Sequence, residues 1–158
     1  MPVEILAAPH ADKPAFWEML QDYIQDMTAY VDVPRVDGAF AYPYFDLYWS
    51  DANRWPFWAM VDGERVGFAL VRREADGTVH MAEFYIRREH RRAGIGLPFA
   101  RDVMKRFSGT WILSEFISNT PAIAFWRRVI GDWTFSERVY TGPSGIERME
   151  QRVTVPAG

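Results

Sequence analysis

The feature that most constrains this chain is a strand that runs into a basic turn, two spaced glycines and a helix. Val79 to Ile86 is mostly apolar or aromatic, as a largely buried strand would be. From Leu97 to Phe107, apolar side chains recur three and four residues apart, which indicates an amphipathic helix. Gly94 and Gly96 precede that helix, so backbone N–H groups and the helix dipole are open to an anion there. The stretch therefore predicts a binding site for a phosphorylated ligand.

Two widespread phosphate-binding patterns do not fit this turn. The chain contains no Gly-Lys-Ser or Gly-Lys-Thr, which excludes a Walker loop, and a dinucleotide fingerprint would need a third glycine where Phe99 stands. The segment Arg91-Arg92-Ala93-Gly94-Ile95-Gly96 instead resembles the pyrophosphate loop of the GNAT acyltransferase superfamily, whose pattern is Gln/Arg-x-x-Gly-x-Gly/Ala. An ordinary strand-to-helix turn could give the same six residues, so the rest of the chain has to decide.

The composition of the 158 residues narrows the function classes. The net charge is −3 and the pI is about 5.6, which argues against general nucleic-acid binding. Without cysteine there is no disulfide, thiol nucleophile or cysteine metal site, and the three histidines show no metal-ligand spacing. No apolar stretch reaches membrane-spanning length. We expect one cytoplasmic domain over residues 1–158, monomeric or homodimeric, with no metal and no nucleic-acid or membrane partner.

Hydrophobic periodicity and turn residues predict the remaining elements. They are a strand at Val3–Ala8, a helix capped by Asp12 and running to Tyr30, a loop with a short helix near Tyr44–Ser50, a hairpin of Pro56–Val61 and Arg65–Arg72 around Asp62-Gly63, a strand at Thr110–Ile117, a helix at Pro121–Ile130 capped by Asn119 or Thr120, and strands at Trp133–Tyr140 and Ile146–Val155. The prediction is an α/β domain with a mixed, mostly antiparallel sheet of six to seven strands and about four helices.

A second motif agrees with the first. Residues 119–131 resemble the superfamily's Asn-x-x-Ala-x-x-x-Tyr-x-x-x-Gly-Phe segment, and the spacing from the basic loop is usual. The chain is identified on these motifs as a member of the GNAT superfamily. The aromatic run Tyr42–Trp49, together with Phe125–Arg128, looks like a bacterial branch of predicted acetyltransferases, which indicates no acceptor.

The resemblance implies that acetyl-coenzyme A binds in a wedge between the Val79–Ile86 and Thr110–Ile117 strands, which splay apart beside a bulge. The backbone near the end of the first strand would hydrogen-bond the pantetheine, and the amides of the loop would hold the pyrophosphate. Asn119 would hydrogen-bond the pantetheine arm. The implied cofactor-binding residues are Tyr85, Ile86, Arg91, Arg92, Ala93, Gly94, Ile95, Gly96, Leu97, Asn119 and Trp126.

Glu83 is the candidate general base. It lies in an apolar stretch where burial would raise the pKa of its carboxyl toward a useful range. A carboxylate at this place in the strand also matches the base of several superfamily enzymes. Alternatively, Glu83 faces the open side of the sheet or pairs with Arg72 or Arg73.

One position departs from the superfamily pattern. Trp126 stands where a tyrosine usually protonates the departing thiolate, and an indole N–H cannot transfer a proton in this way. Either the thiolate leaves unassisted, or Tyr85, Tyr140 or water protonates it, or the protein no longer catalyses. Two function classes therefore remain. One is an N-acetyltransferase in which the amine of a small molecule, or of a protein, attacks the thioester directly. The other is a non-catalytic acyl-coenzyme A-binding sensor.

The predicted acceptor pocket is formed by residues 30–49 and the turn at residues 140–146. Its aromatic and acidic side chains would suit a small amine. The same aromatics could instead be core that closes one end of the sheet. The residues in question are Tyr42, Tyr44, Tyr48, Trp49, Asp32, Asp37 and Asp46.

Overall fold

A computed structural model describes residues 2–158. Its strands are β1 (Glu4–Ala7), β2 (Arg35–Val36), β3 (Ala39–Phe40), β4 (Arg54–Val61), β5 (Glu64–Arg73), β6 (Val79–Ile86), β7 (Gly109–Phe116), β8 (Thr134–Thr141) and β9 (Glu147–Val155). Its α-helices are α1 (Lys13–Met27), α2 (Leu47–Ser50), α3 (Gly96–Lys105) and α4 (Thr120–Ile130). Short 3-10 turns at His10–Asp12 and Arg88–His90 precede α1 and α3. No helix among residues 2–158 is long and apolar enough to cross a membrane.

Seven strands form one sheet in the order β1-β4-β5-β6-β7-β9-β8, and all pairs except β6–β7 are antiparallel. The prediction of a mixed, mostly antiparallel α/β sheet is therefore confirmed. β6 and β7 pair only at their beginnings, where Val79 lies opposite Trp111 and His80 lies opposite Ile112. Beyond these residues the two strands separate, so their backbone edges face a gap rather than each other.

A β-bulge sits in β6 where the strands separate. Leu70 of β5 pairs with Glu83 and the next residue pairs with Met81, so Ala82 is the extra residue. Successive side chains of a regular strand alternate between faces, and regular alternation would place Glu83 on the same face as Met81. The bulge breaks this alternation and turns Glu83 to the opposite face.

Helices cover both faces of the sheet and create two cores. α3 and α4 pack on one face around residues such as Phe99, Trp111 and Val129. On the other face, α1 packs around residues such as Phe16 and Trp58, which are fully buried. Each long helix has one apolar side, as its sequence pattern predicts, and burial of that side against the sheet stabilises the fold.

Two local predictions are wrong. The segment predicted as loop contains the β2–β3 hairpin, whose turn at Asp37 and Gly38 has φ values of 53° and 83°. Asp12 does not cap α1 through its side chain. Its carboxylate instead accepts a hydrogen bond from Trp58 Nε1 at 2.9 Å and pairs with Arg65 at 3.1 Å. The carboxylate oxygens that could have capped the helix are therefore engaged in tertiary contacts.

Candidate active site

The larger cleft at this end of the sheet has a volume of about 910 Å³ and opens where β6 and β7 separate. The end of β6, the basic loop, the start of α3 and one side of α4 enclose it. All predicted cofactor residues except Ala93 line it: Tyr85, Ile86, Arg91, Arg92, Gly94, Ile95, Gly96, Leu97, Asn119 and Trp126. Ala93 is exposed in the same loop. Side chains from three separate elements are thus brought to one cleft.

The basic loop turns sharply before α3. Arg92 and Gly94 both have positive φ, 67° and 72°, and no side chain caps the helix N-terminus at Ile95. The first amides of α3 are therefore without a side-chain acceptor, as an anion-binding helix start requires.

The two glycines of the loop have different environments. A Cβ at Gly94 would meet no atom within 4 Å, so this position is open toward the cleft. A Cβ at Gly96 would lie 3.2 Å from the ring of Phe125 and 3.6 Å from Ile86, so Gly96 allows α3 to pack closely on α4 and β6. Gly96 therefore has a packing role, and it also lines the cleft as the predicted cofactor-binding residue.

The arginines of the loop also differ. Asp26 of α1 pairs with Arg91 at 2.9 Å and with Arg88 at 3.2 Å. Arg91 also donates from Nε to the carbonyl oxygen of Ile86 at 2.9 Å, which fixes the loop against the end of β6. Arg92 is exposed and forms no salt bridge with any residue between 2 and 158. Its guanidinium is thus a positive charge that no described carboxylate neutralises, at the wall of the cleft.

A smaller cavity of about 320 Å³ adjoins the cleft on the α1 face. The two share six lining residues, so they meet at the point where β6 and β7 separate: Tyr23, Met27, Phe84, Asn119, Ala122 and Trp126. The smaller cavity is also lined by Glu83 and Arg148. A ligand in the cleft and a ligand in the cavity would therefore touch at this junction.

Glu83 lies in the smaller cavity between two tyrosines. Tyr23 donates to Oε1 at 2.8 Å, and Tyr42 donates to Oε2 at 2.9 Å. Burial raises the pKa of Glu83 above its ordinary value, and the two hydrogen bonds partly oppose that rise. The alternative that Glu83 pairs with Arg72 is wrong, because Arg72 pairs with Glu74 at 2.7 Å.

Of the aromatic and acidic residues expected to line the acceptor pocket, Tyr42 lines the cavity. Tyr48 and Trp49 belong to the α1-side core, and Tyr44 is exposed. Asp46 pairs with Lys13 at 2.7 Å on the surface. The alternative interpretation, in which these aromatics are core, therefore holds for Tyr48 and Trp49, and the pocket interpretation holds for Tyr42.

Sequence reasoning missed three residues of the cavity. Tyr23 reaches Glu83 from α1, and Arg148 lines the cavity from β9. Ser114 of β7 connects Arg148 to Tyr140, with distances of 2.7 Å and 3.0 Å from its Oγ. These residues are far apart along the chain, and no local pattern marks them.

Asn119 and Trp126 hold α4 at the junction. Asn119 is buried and caps the helix by accepting from the Ala122 N–H at 3.3 Å, as predicted. Trp126 packs edge-on against Phe84 and Phe125, with ring centroids 5.0 and 5.1 Å apart. The indole thus fills the space between α4 and β6.

A sheet that splays beside a bulge, with an uncapped helix start and a basic loop at its mouth, defines the acyltransferase class that uses coenzyme A thioesters. The model of the acetyltransferase (GNAT) family matches residues 16–131, which is most of the chain, and the protein therefore belongs to this family. It is an acetyltransferase whose acetyl donor is acetyl-coenzyme A.

Solved structures similar to this chain share its fold at low sequence identity. The ribosomal-protein-S18-alanine N-acetyltransferase of Escherichia coli has a TM-score of 0.65, 17% identity, and coverage of 99% of this chain and 97% of that one. The diaminobutyrate acetyltransferase EctA of Paenibacillus lautus, in complex with L-2,4-diaminobutyric acid and coenzyme A, has a TM-score of 0.69 and 18% identity, with coverage of 98% of this chain and 95% of that one. The spermidine N-acetyltransferase SpeG of Vibrio cholerae has a TM-score of 0.70 and 9% identity, with coverage of 96% of this chain and 94% of that one. None of the curated proteins matches the sequence significantly.

Proposed function

We propose that the protein works as a single domain that transfers the acetyl group of acetyl-coenzyme A to the amine of a small molecule by direct attack, with Glu83 as the general base. The observation that carries this proposal is the meeting of the two cavities at the bulge of β6, where Glu83 opens into the smaller one. The acceptor cavity of about 320 Å³ lies at the lower end of the range for small-molecule sites, roughly 300–1,000 Å³. Two of the solved relatives are named for small amines, diaminobutyrate and spermidine.

The residues of the larger cleft fit coenzyme A. The uncapped start of α3 and the exposed Arg92 favour phosphate groups, and the edge of β6 that β7 leaves unpaired beyond His80 favours an amide-containing arm. When bound there, acetyl-coenzyme A supplies a thioester carbonyl at the junction of the two cavities. The chain contributes the amides, the positive charge and the apolar walls that orient it.

Glu83 is suited to remove a proton from the acceptor. An amine is protonated at neutral pH and becomes a nucleophile only after it loses that proton. The raised pKa of Glu83, caused by burial, makes its carboxylate a stronger base than an exposed glutamate. The hydroxyl groups of Tyr23 and Tyr42 hold both carboxylate oxygens and fix their direction in the cavity.

The chain contains no cysteine that could carry the acetyl group covalently, which supports direct attack. Trp126 cannot donate a proton to the leaving thiolate. Tyr85 lines the same cleft, and its hydroxyl, which is protonated at neutral pH, is the proposed donor. Burial raises the pKa of this hydroxyl and so makes it a weaker acid, which leaves the departing thiolate to draw the proton by its own basicity.

The test is a coenzyme A release assay over a panel of small amines, with Glu83→Gln as the diagnostic variant. Glutamine keeps the size and the acceptor oxygen but cannot take a proton. Turnover should fall by about 10²–10⁴-fold, the range typical of general-base catalysis, while affinity for acetyl-coenzyme A stays unchanged. Glu74→Gln is the matched control, because Glu74 is exposed and lines neither cavity.

Two results would contradict the proposal in different ways. If Glu83→Gln kept turnover within a few-fold of the wild type, Glu83 would be structural and another group would take the proton. If the protein bound acetyl-coenzyme A but released no coenzyme A with any amine, the small-amine transferase would be refuted and the sensor hypothesis would replace it.

A further inference from the structure

Arg148 is a cation of the acceptor cavity without an acidic partner. Its Nε donates to Ser114 Oγ at 2.7 Å, and its guanidinium lies over the ring of Phe116 at 4.3 Å. Within residues 2–158, no carboxylate lies within 4.0 Å of it, although Arg127 of α4 and Arg138 of β8 are each paired with a glutamate. The side chain is partly buried, and it lines the same cavity as Glu83.

The contacts of Arg148 fix its orientation but leave donors available. Besides the Nε bond, only Nη2 reaches a described protein acceptor, the Ser114 carbonyl oxygen at 3.5 Å, which is a weak contact. A guanidinium has five N–H donors in a planar fork that matches a carboxylate. An arginine that is held by stacking and by one strong bond can therefore bind an anion with little loss of side-chain entropy.

The cavity thus has ionisable groups of opposite sign on three strands, with Glu115 of β7 as a second, buried carboxyl beside Glu83. Glu83 enters it from β6 and Arg148 from β9, and β7 lies between these strands, which separates their backbones by about 10 Å or more. Burial raises the pKa of Glu83, and the positive charge of Arg148 on the same cavity acts in the opposite direction. The wall includes Val31 and Val33, which are apolar.

We infer that the acceptor is an amine that also carries a carboxylate, as an amino acid does, with its amine facing Glu83 and its carboxylate paired with Arg148. This inference rests on the proposed function and narrows its substrate class. A polyamine, which has only positive groups, would meet repulsion at Arg148. A charge without a partner is costly in a partly buried site. A ligand with both charges would give a partner to each of the two residues.

The experiment compares amines that differ only in the anionic group. Ornithine is paired with putrescine, lysine with cadaverine, and phenylalanine with phenethylamine, and each amino acid is also tested as its neutral amide. β-Alanine, taurine and 2-aminoethylphosphonate distinguish a carboxylate from a sulfonate or phosphonate. We expect amino acids to be acetylated with kcat/KM about 10- to 100-fold higher than their decarboxylated partners, as a charge-assisted pair would give.

Arg148→Met should remove this preference. KM for the amino acid should rise about 10- to 100-fold, with little change for the decarboxylated amine. Arg148→Lys, which keeps the charge and loses the planar fork, should recover part of the affinity and guards against a folding defect in the first variant. Arg138→Met is the matched control, because Arg138 lies on the adjacent strand β8, pairs with Glu150 and does not line the cavity.

The outcomes separate this inference from the proposed function. If both members of each pair were acetylated equally, in wild type and in Arg148→Met, the transferase would stand and the inference would be overturned. If no amine of either kind were turned over, calorimetry with the coenzyme A complex would decide. Amino acid binding that Arg148→Met abolishes would support the inference, and no binding of amino acids would overturn it.

Discussion

Glu115 is a buried carboxyl whose ionisation should make the stability of the protein depend on pH. It is 4% exposed, and its Oε2 has no hydrogen-bond partner among the described residues. Gln151 donates to Oε1 at 2.8 Å and also to Glu137 at 3.1 Å. Burial raises the pKa of Glu115 to about 7 and the charge of Glu137 adds to this, against the Gln151 hydrogen bond and the more distant Arg148 and Arg127.

The direction and size of the effect follow from linkage. In the unfolded chain the carboxyl titrates near its ordinary value of 4.5, whereas in the folded protein it titrates near 7. The stabilising contribution of the neutral folded carboxyl is complete below pH 4.5 and is lost as the pH rises through 7. At about 1.4 kcal/mol per pH unit, the loss between these values is about 3 kcal/mol.

Glu115→Gln removes the ionisation and keeps the shape. Urea unfolding from pH 5 to pH 8.5 should show that the variant gains stability relative to wild type, approaching about 3 kcal/mol above pH 7, with a much smaller gain at pH 5. Glu64→Gln is the control for the loss of a carboxyl, because Glu64 is exposed in the β4–β5 hairpin. A Glu115→Gln difference that stayed constant over this range would refute the assignment of a buried, late-titrating carboxyl.

Two further predictions concern the basic loop. Gly94→Glu should abolish binding of acetyl-coenzyme A in calorimetry and leave the fold intact, because a Cβ at this position meets no protein atom within 4 Å, although the φ of 72° makes the variant about 1–2 kcal/mol less stable. Unchanged affinity in the folded variant would remove the loop from the cofactor site. Arg92→Ala should weaken coenzyme A binding more than Arg91→Ala, because Asp26 already neutralises part of the Arg91 charge. Dephospho-coenzyme A shows whether either arginine contacts the 3′-phosphate, and equal losses in both variants would contradict the role given to Asp26.

The parts of the fold that the sequence predicts well are those with strong local signals. β6 begins and ends at the predicted residues, and the turn at Asp62-Gly63 has the positive φ values, 50° and 80°, that its sequence indicates. The same Asp-Gly signal at residues 37 and 38 also forms a hairpin. It was not predicted because its strands are two residues long and show no alternation.

The residues of the candidate site also differ in whether a local sequence signal marks them. Glu83 could be predicted because a carboxylate in an apolar strand is unusual in itself. Its partner Tyr23 lies 60 residues earlier on α1, where it also fits the helical apolar pattern and carries no separate signal. Arg148 likewise resembles any polar residue of a final strand until the fold places it in the cavity. Contacts between distant elements are set by packing, which local sequence patterns do not encode.

The donor side and the acceptor side of the site come from different parts of the chain, which affects how acceptor specificity can change. One continuous stretch, from β6 through the loop to α3, contains the proposed base, the unpaired strand edge and the proposed anion-binding turn. The bulge at Ala82 joins these functions, because it turns Glu83 toward the α1 face while Phe84 stays against α4. The acceptor side is built by other elements, with Tyr23 from α1 and Arg148 from β9. Substitutions there can alter which amine is bound without disturbing the stretch that holds the acetyl donor, so acceptor preference should vary far more readily than the use of acetyl-coenzyme A.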